Sequence, residues 1–257
     1  MNFRGGGAPA FNAPQGFEVC AEVKNSALNQ ISKTAFTLAE VLITLGIIGI
    51  VAAMTLPNLI GNYQKKQTAT QLKKVYSLIQ QAVRHAEADY ENIEYWNFDL
   101  TADQFKDTYI KPYFKVVKEY KSGEFPGGKT IYCRDGKSNC TGYSGFSHNP
   151  KLILADGTLL SVESLKPQKM VNIVVDLNGF KKPNRYGRDV FFFTIQPKSG
   201  VSPYGVNFIH NDETKYSYDR EFLLNGNNQR SCRNDGIFCA GVIMMDDWEI
   251  KDDYPWN

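Results

Sequence analysis

The chain has 257 residues, 42% of them hydrophobic and 13% aromatic, enough to bury one sizeable core once an anchor and a leader are set aside. Its 29 basic and 27 acidic residues, a formal charge of +2, are spread throughout, so no patch is concentrated enough to neutralise phosphates and nucleic acid is not the implied partner. Five cysteines, four of them in two pairs with equal spacing, Cys133 with Cys140 and Cys232 with Cys239, favour an oxidising compartment.

Residues 1 to 34 are rich in Gly, Asn, Ala and Pro, and "RGGGAPAFNAPQG" has neither a helical nor a strand period, so this stretch reads as a leader. It is followed by "KTAFTLAEVLITLGIIGIVAAMTLPNLI", whose 22 residues from Phe36 to Pro57 carry one charge, Glu40. At about 1.5 Å per residue the run is about 33 Å long, against about 30 Å for a bilayer core. Lys33 precedes it and Lys65 and Lys66 follow. No small-residue cleavage site follows the run, as an ordinary secretory signal would require; Pro57, Asn58 and a polar helix do, so the apolar segment is expected to stay on the mature protein. An unpaired ionised side chain in hydrocarbon costs at least about 2.5 kcal/mol, which makes Glu40 the first functional suspect. Its bland alternative is a carboxylate that reaches the headgroups from one turn inside the helix and serves only to orient insertion.

The phrase "TAFTLAEVLITLGIIGIVAAMTLPNLI" resembles the N-terminal signal and helix of type IV pilins and of type II secretion pseudopilins. The resemblance implies that a membrane-embedded prepilin peptidase cuts between Ala35 and Phe36, that the new amino group is methylated, and that Glu40 is the family's retained carboxylate. It also matches Pro57 to the family's helix-kinking proline. The family usually has Gly before the cut, where this chain has Ala35. The implied fold is α+β: one long helix, transmembrane in its first half and amphipathic in its second, packed on a C-terminal antiparallel sheet. The implied organisation is a leader over 1–35, a transmembrane and assembly helix over 36–60, and a periplasmic or extracellular globular domain over 61–257. The implied function is a structural subunit of a type II secretion pseudopilus or type IV pilus. Such a subunit is the substrate of an enzyme rather than an enzyme. It would sit in the inner membrane with its C-terminal domain exported and then enter the fibre, its partners being the peptidase, other pilin or pseudopilin subunits, the inner-membrane assembly platform and lipid. In that setting the freed amino group of Phe36 in a neighbouring subunit is a cation for Glu40, and desolvation makes such a pair selective. The alternative class is a periplasmic or surface binding domain or enzyme held by an uncleaved signal anchor.

Beyond Pro57, Leu72, Val75, Tyr76, Ile79, Val83 and Ala86 recur at helical spacing opposite a basic and polar face, the pattern of an amphipathic helix with one buried stripe. From about residue 130 the chain reads as short strands: "TIYC", "KLILADGTLLSVESL" with Asp156 and Gly157 as a hairpin turn, "VNIVVDL", "DVFFFTI", "YGVNFI" and "GIFCAGVIMM". The strands flanking "DLNGFKKPNRYGRD" are predicted to be antiparallel, because a loop of that length with those breakers holds no crossover helix.

That loop gathers Asp176, Asn178, Asn184 and Asp189, oxygen ligands of the kind calcium prefers. The spacing does not fit an EF-hand, and Lys181, Lys182, Arg185 and Arg188 repel a cation, so turn chemistry is the preferred reading and calcium the weaker one. The paired cysteines admit local disulfides, crossed disulfides or zinc; a gap of six residues is long for a zinc knuckle. Local pairing, Cys133 with Cys140 and Cys232 with Cys239, is preferred because both segments contain turn residues that let short loops close, and Cys20 would be lost with the leader. The histidines, His85, His148 and His210, belong to no triad motif, and no G-x-S-x-G, P-loop or H-E-x-x-H occurs. The tail residues Trp248, Tyr254 and Trp256 are expected to close the core at the chain end.

Overall fold

The computed structural model describes residues 36–124, 131–137, 148–209 and 215–256. The leader, Ala35, Cys20, Cys140 and His210 lie outside them. The chain divides into two units, residues 1–51 and 52–257. The architecture is α+β, as expected: a long helix, α1 (Leu38–Tyr90), precedes a six-stranded antiparallel sheet.

The sheet is a meander in which each strand pairs with the next: β1 (Val116–Tyr120), β2 (Lys151–Leu154), β3 (Leu159–Leu165), β4 (Met170–Asp176), β5 (Val190–Gln196) and β6 (Gly200–Pro203). The Asp156–Gly157 turn joins β2 to β3, with Leu154 N–H donating to Thr158 O at 2.8 Å and Asp156 Oδ1 accepting from Thr158 N–H at 3.1 Å. Strands β4 and β5 are antiparallel, and every residue in both is buried. Successive side chains of a strand point to opposite faces, so both faces of this central pair are covered.

One face is met by α1. Ala69, Leu72, Val75, Ile79, Val83 and Ala86 of its buried stripe belong to the same hydrophobic cluster as β4 and β5. Tyr76 is half-buried and lies between Phe193 of β5, stacked at 5.6 Å, and Trp248, at 5.1 Å, while its hydroxyl donates to Val201 O at 3.3 Å. Lys74 ties the helix to the β2–β3 turn through Asp156 at 2.7 Å. The opposite face carries Phe192, which meets Tyr186 and Tyr204; Tyr204 stacks in turn on Phe238.

Three expected strands are corrected. "GIFCAGVIMM" forms a helix, α4 (Cys239–Met245), after a short α3 (Arg220–Asn225). A continuous apolar run has no period by which to tell a buried strand from a buried helix, and Cys239, Ala240, Gly241, Val242 and Ile243 are all buried. Of "TIYC", the described residues 131–133 contribute an isolated bridge from Tyr132 to Arg185 rather than a strand. Of "YGVNFI", only Phe208–Ile209 is strand, β7, paired with β8 (Lys215–Tyr216) outside the main sheet. The tail behaves as expected, with Tyr254 and Trp256 buried.

Between α1 and β1 lies a small helical segment that shows little periodicity in sequence. Thr101 and Gln104 form a capping box that starts α2 (Ala102–Phe105), which continues as a π-helical turn, Lys106–Ile110. Phe98, Phe105 and Tyr109 pack with Trp96, whose ring stacks on Tyr109 at 4.4 Å. This segment also buries Lys106 completely, between Glu119 of β1 and Asp107, the latter at 2.9 Å; Lys111 bonds the second Glu119 oxygen. Hydrogen bonds from Lys106 and then Lys111 hold the Glu119 carboxyl down at about 2, against an ordinary value of 4.5. A lowered carboxylate stabilises the fold above its unfolded value and loses that contribution as pH falls, here between about 4.5 and 2. We expect Glu119→Gln to lower stability by about 1–3 kcal/mol at pH 7, since Lys106 keeps Asp107. The variant's deficit should shrink on acidification from pH 5 to pH 2.5, as measured by urea unfolding across that range.

Candidate functional site

Unit 1 is described from Phe36. Among the described residues its apolar side chains are exposed: Phe36 is 84% exposed, and none of the most apolar 18-residue window of α1 is buried. This is one helix long and apolar enough to cross a membrane. The core helix of a water-soluble domain would bury one face, as the second half of α1 does. Pro57 lies within α1. Having no N–H, it leaves the carbonyl of Ala53 without its usual donor.

Glu40 has a local partner that the sequence reading missed. Its Oε2 accepts from both the backbone N–H and the hydroxyl of Thr37, each at 2.8 Å, and Thr37 Oγ1 accepts from Glu40 N–H at 3.2 Å. Val41 N–H donates to Thr37 O at 3.2 Å as the first bond of the helix. Thr37 is thus the N-cap and Glu40 the third helical residue of a capping box, and both satisfy helix-end donors that hydrocarbon could not. The signal was present in the phrase "TLAE", a Thr followed three residues later by Glu before an apolar run. Among the described residues, Oε1 of Glu40 has no partner.

The loop between β4 and β5 is organised by its two carboxylates. Asp176 Oδ1 accepts from Asn178 and Gly179 N–H, both at 3.0 Å, and its Oδ2 from Phe180 N–H at 2.9 Å. Asp189 accepts from Asn184 N–H at 2.9 Å, from Arg185 N–H at 2.7 Å and from Asn178 Nδ2 at 2.9 Å. Every oxygen of both carboxylates therefore faces a donor, the arrangement of an Asx turn rather than of a cation cage. The amide oxygens of Asn178 and Asn184 are buried without a partner, yet among the described residues no group of three His, Cys, Asp or Glu side chains gathers. The residues do not fit a calcium site. Burial, followed by the neighbouring charge of Asp189, pushes Asp176 up to about 6, with its backbone donors pulling the other way. Gly179 has a positive φ, and a Cβ there would collide with the carbonyl of Gly157, so this turn rests on the β2–β3 hairpin.

The loop's far end rests on the C-terminal segment. Gly187 has φ +73°, and a Cβ there would lie 2.5 Å from Cys239 Sγ and 3.0 Å from Tyr254 Oη. Tyr254 donates to Gly187 O at 2.6 Å, and Arg188 donates to Trp256 O at 2.7 Å with its guanidinium over the Trp256 ring. Cys232 and Cys239 are bonded, with Cα atoms 4.6 Å apart, which bears out local pairing for this pair. Cys133 is buried and disulfide-bonded as well. His85 is exposed and stacks on Tyr113. The candidate residues are thus Phe36, just before α1, with Glu40 and Pro57 on α1, and the 176–189 loop with the Cys232–Cys239 bond.

A family model described as a family of unknown function, DUF6613, matches residues 58–257. No curated protein and no solved structure matches the chain.

Removing the Asp189 carboxylate strands three donors at once. We expect Asp189→Ala to cost on the order of 3 kcal/mol or more in thermal or urea unfolding of the full chain. Adding calcium to chelator-treated protein should leave Tm unchanged; a rise in Tm with calcium would make the loop a metal site.

Proposed function

We propose, for a chain that belongs to the DUF6613 family of unknown function, that it is a membrane-anchored structural subunit of a pilin-like fibre, a pseudopilus or a type IV pilus. The peptidase would cut between Ala35 and Phe36, and the apolar first half of α1 would carry the subunit from the bilayer into the fibre. One observation carries this reading: an apolar helix start that its own chain leaves exposed continues into a helix whose stripe packs on an antiparallel sheet. A surface of that kind is stable in lipid or against like helices from other subunits.

Glu40 supports the reading in a specific way. The cap occupies Oε2 and leaves Oε1 for a cation, and the cation nearest in chemistry is the amino group that cleavage creates at Phe36 of a neighbour. A carboxylate already held by Thr37 loses little side-chain entropy on pairing. The capping box also favours a second reading, an uncleaved anchor carrying a binding domain, because it accounts for Glu40 without any neighbour. Processing separates the two. Mass spectrometry of protein extracted from membranes containing the peptidase should find a chain starting at N-methylated Phe36, and a chain that keeps its leader would support the anchor.

Substitutions at Glu40 divide the cap from the charge. Gln serves at the third position of a capping box as Glu does, so Glu40→Gln retains the helix start and removes the charge. We expect it to insert in the membrane as well as the unaltered chain and to be depleted from sheared fibres by tenfold or more, whereas Thr37→Val, which removes the cap, should disturb insertion first. Normal incorporation of Glu40→Gln into fibres would overturn the pairing.

A further inference from the structure

The sheet face that carries Phe192 also carries Met170, since Val174 of β4 pairs with Phe192 and alternate residues share a face. At the Met170 end a half-open cavity of about 610 Å³ lies between the β3–β4 connection and the segment before α4. Its wall is aromatic. Tyr204 stacks on Phe238 with centroids 6.0 Å apart and meets Phe208 at 5.1 Å, and Tyr218 lies 5.9 Å from Phe238. Asn228 and Gln168 add amide groups at its edge. None of these residues has a part in the anchor or in the 176–189 loop.

Arg230 supplies the cavity's charge. Its Nη1 donates to Tyr204 Oη at 3.2 Å and its guanidinium carbon lies 5.5 Å from the centre of that ring. Among the described residues no carboxylate pairs with it, and its Nε and Nη2 make no hydrogen bond. Arg220 shows the contrast: it holds Asp246 with two donors, at 2.6 and 2.7 Å, and Asp253 with two more, both at 2.8 Å. A half-buried guanidinium fixed at one corner by a tyrosine, with its other donors open into an aromatic cavity, matches a planar anion that accepts two parallel N–H bonds. The rings match a body with flat C–H faces, while the tyrosine hydroxyls and amides match hydroxyl groups at its rim.

We propose that this cavity binds the acidic sugar residue of an anionic glycan, with a uronic-acid carboxylate on Arg230 and the sugar ring against Tyr204 and Tyr218. The volume falls in the range of small-ligand sites, about 300–1,000 Å³, and accommodates one or two sugar rings. The site is independent of how the N-terminus is processed.

The test is calorimetric titration of the full chain in detergent with tri-galacturonate, with tri-galactose as the same scaffold without carboxylates, and with tri-glutamate as an acidic peptide. We expect tri-galacturonate to bind and tri-galactose to bind at least tenfold more weakly. Arg230→Gln should lose at least tenfold in affinity, and Arg230→Lys should fall between, because an ammonium keeps the charge but not the fork. Tyr218→Ala should lose severalfold, and melting curves establish that each variant is folded. If Arg230→Gln does not fold, the comparison of the two sugars and the Arg230→Lys variant carries the test. Equal binding of the two sugars, unchanged affinity in Arg230→Gln, stronger binding of tri-glutamate, or no binding of tri-galacturonate at millimolar concentration would each overturn the proposal.

Discussion

Strands β4 and β5 are buried on both faces, and the rest of unit 2 is arranged to make that possible. An antiparallel sheet ordinarily leaves one face to water and alternates apolar with polar residues; "VNIVVDL" and "DVFFFTI" do not alternate, so each face needs a cover. The amphipathic half of α1 supplies one, through Leu72, Val75, Ile79 and the Tyr76 ring on Phe193. Tyr186, Tyr204 and Phe238 supply packing on the other. The connection between the two strands has to stay compact beside these covers, which explains why Asp176 and Asp189 spend their oxygens on its backbone and why glycine stands at position 187, against the Cys232–Cys239 bond.

The C-terminal segment joins the core through Leu223, Leu224, Phe238, Val242 and Ile243, and specific polar contacts add to that burial. Arg220 spans from the first turn of α3 to Asp246 and Asp253, and Lys251 joins at Asp246. Asp246 is buried, and its carboxyl is held below its ordinary value by hydrogen bonds from Arg220 and Lys251 that outweigh burial. Arg188 and Tyr254 then fasten the last residues to the 176–189 loop. The aromatic cavity around Arg230 opens beside this framework, and the Arg230 carbonyl accepts from Phe238 N–H at 3.0 Å.

Helix α1 has two halves of different surface chemistry along one sequence. Its first half is apolar on all sides and exposed; its second half has a single buried stripe and a basic, polar remainder. The capping box at Thr37 and Glu40 satisfies first-turn N–H groups of the helix, which counts most where no water can do so, as in a bilayer. A carboxylate that looks anomalous in an apolar run is therefore consistent with local helix chemistry and remains available, through its second oxygen, for an intermolecular role.

Much of this was legible in the chain. The length of the apolar run, the 3.6-residue stripe from Leu72 to Ala86 and the Asp156–Gly157 turn are local patterns whose physics is local, so the long helix, the antiparallel hairpins and the α+β class follow from sequence alone. The pairing of Cys232 with Cys239 was a preference drawn from turn residues, since four cysteines admit three connectivities, and the structure decided it. What else the tertiary structure decided is of another kind. "GIFCAGVIMM" is a helix although its apolar run carries no period that distinguishes it from strands buried on both faces such as β4 and β5, and β1 pairs with β2 while its Glu119 meets a fully buried Lys106 from a segment with little period of its own. Arg230 and the rings around it lie apart in sequence, on the β6–β7 connection, β7 and the chain between β8 and α4, and no spacing rule joins them. Side chains become a site when the backbone carries them together, and that placement depends on long-range packing that a linear pattern does not encode.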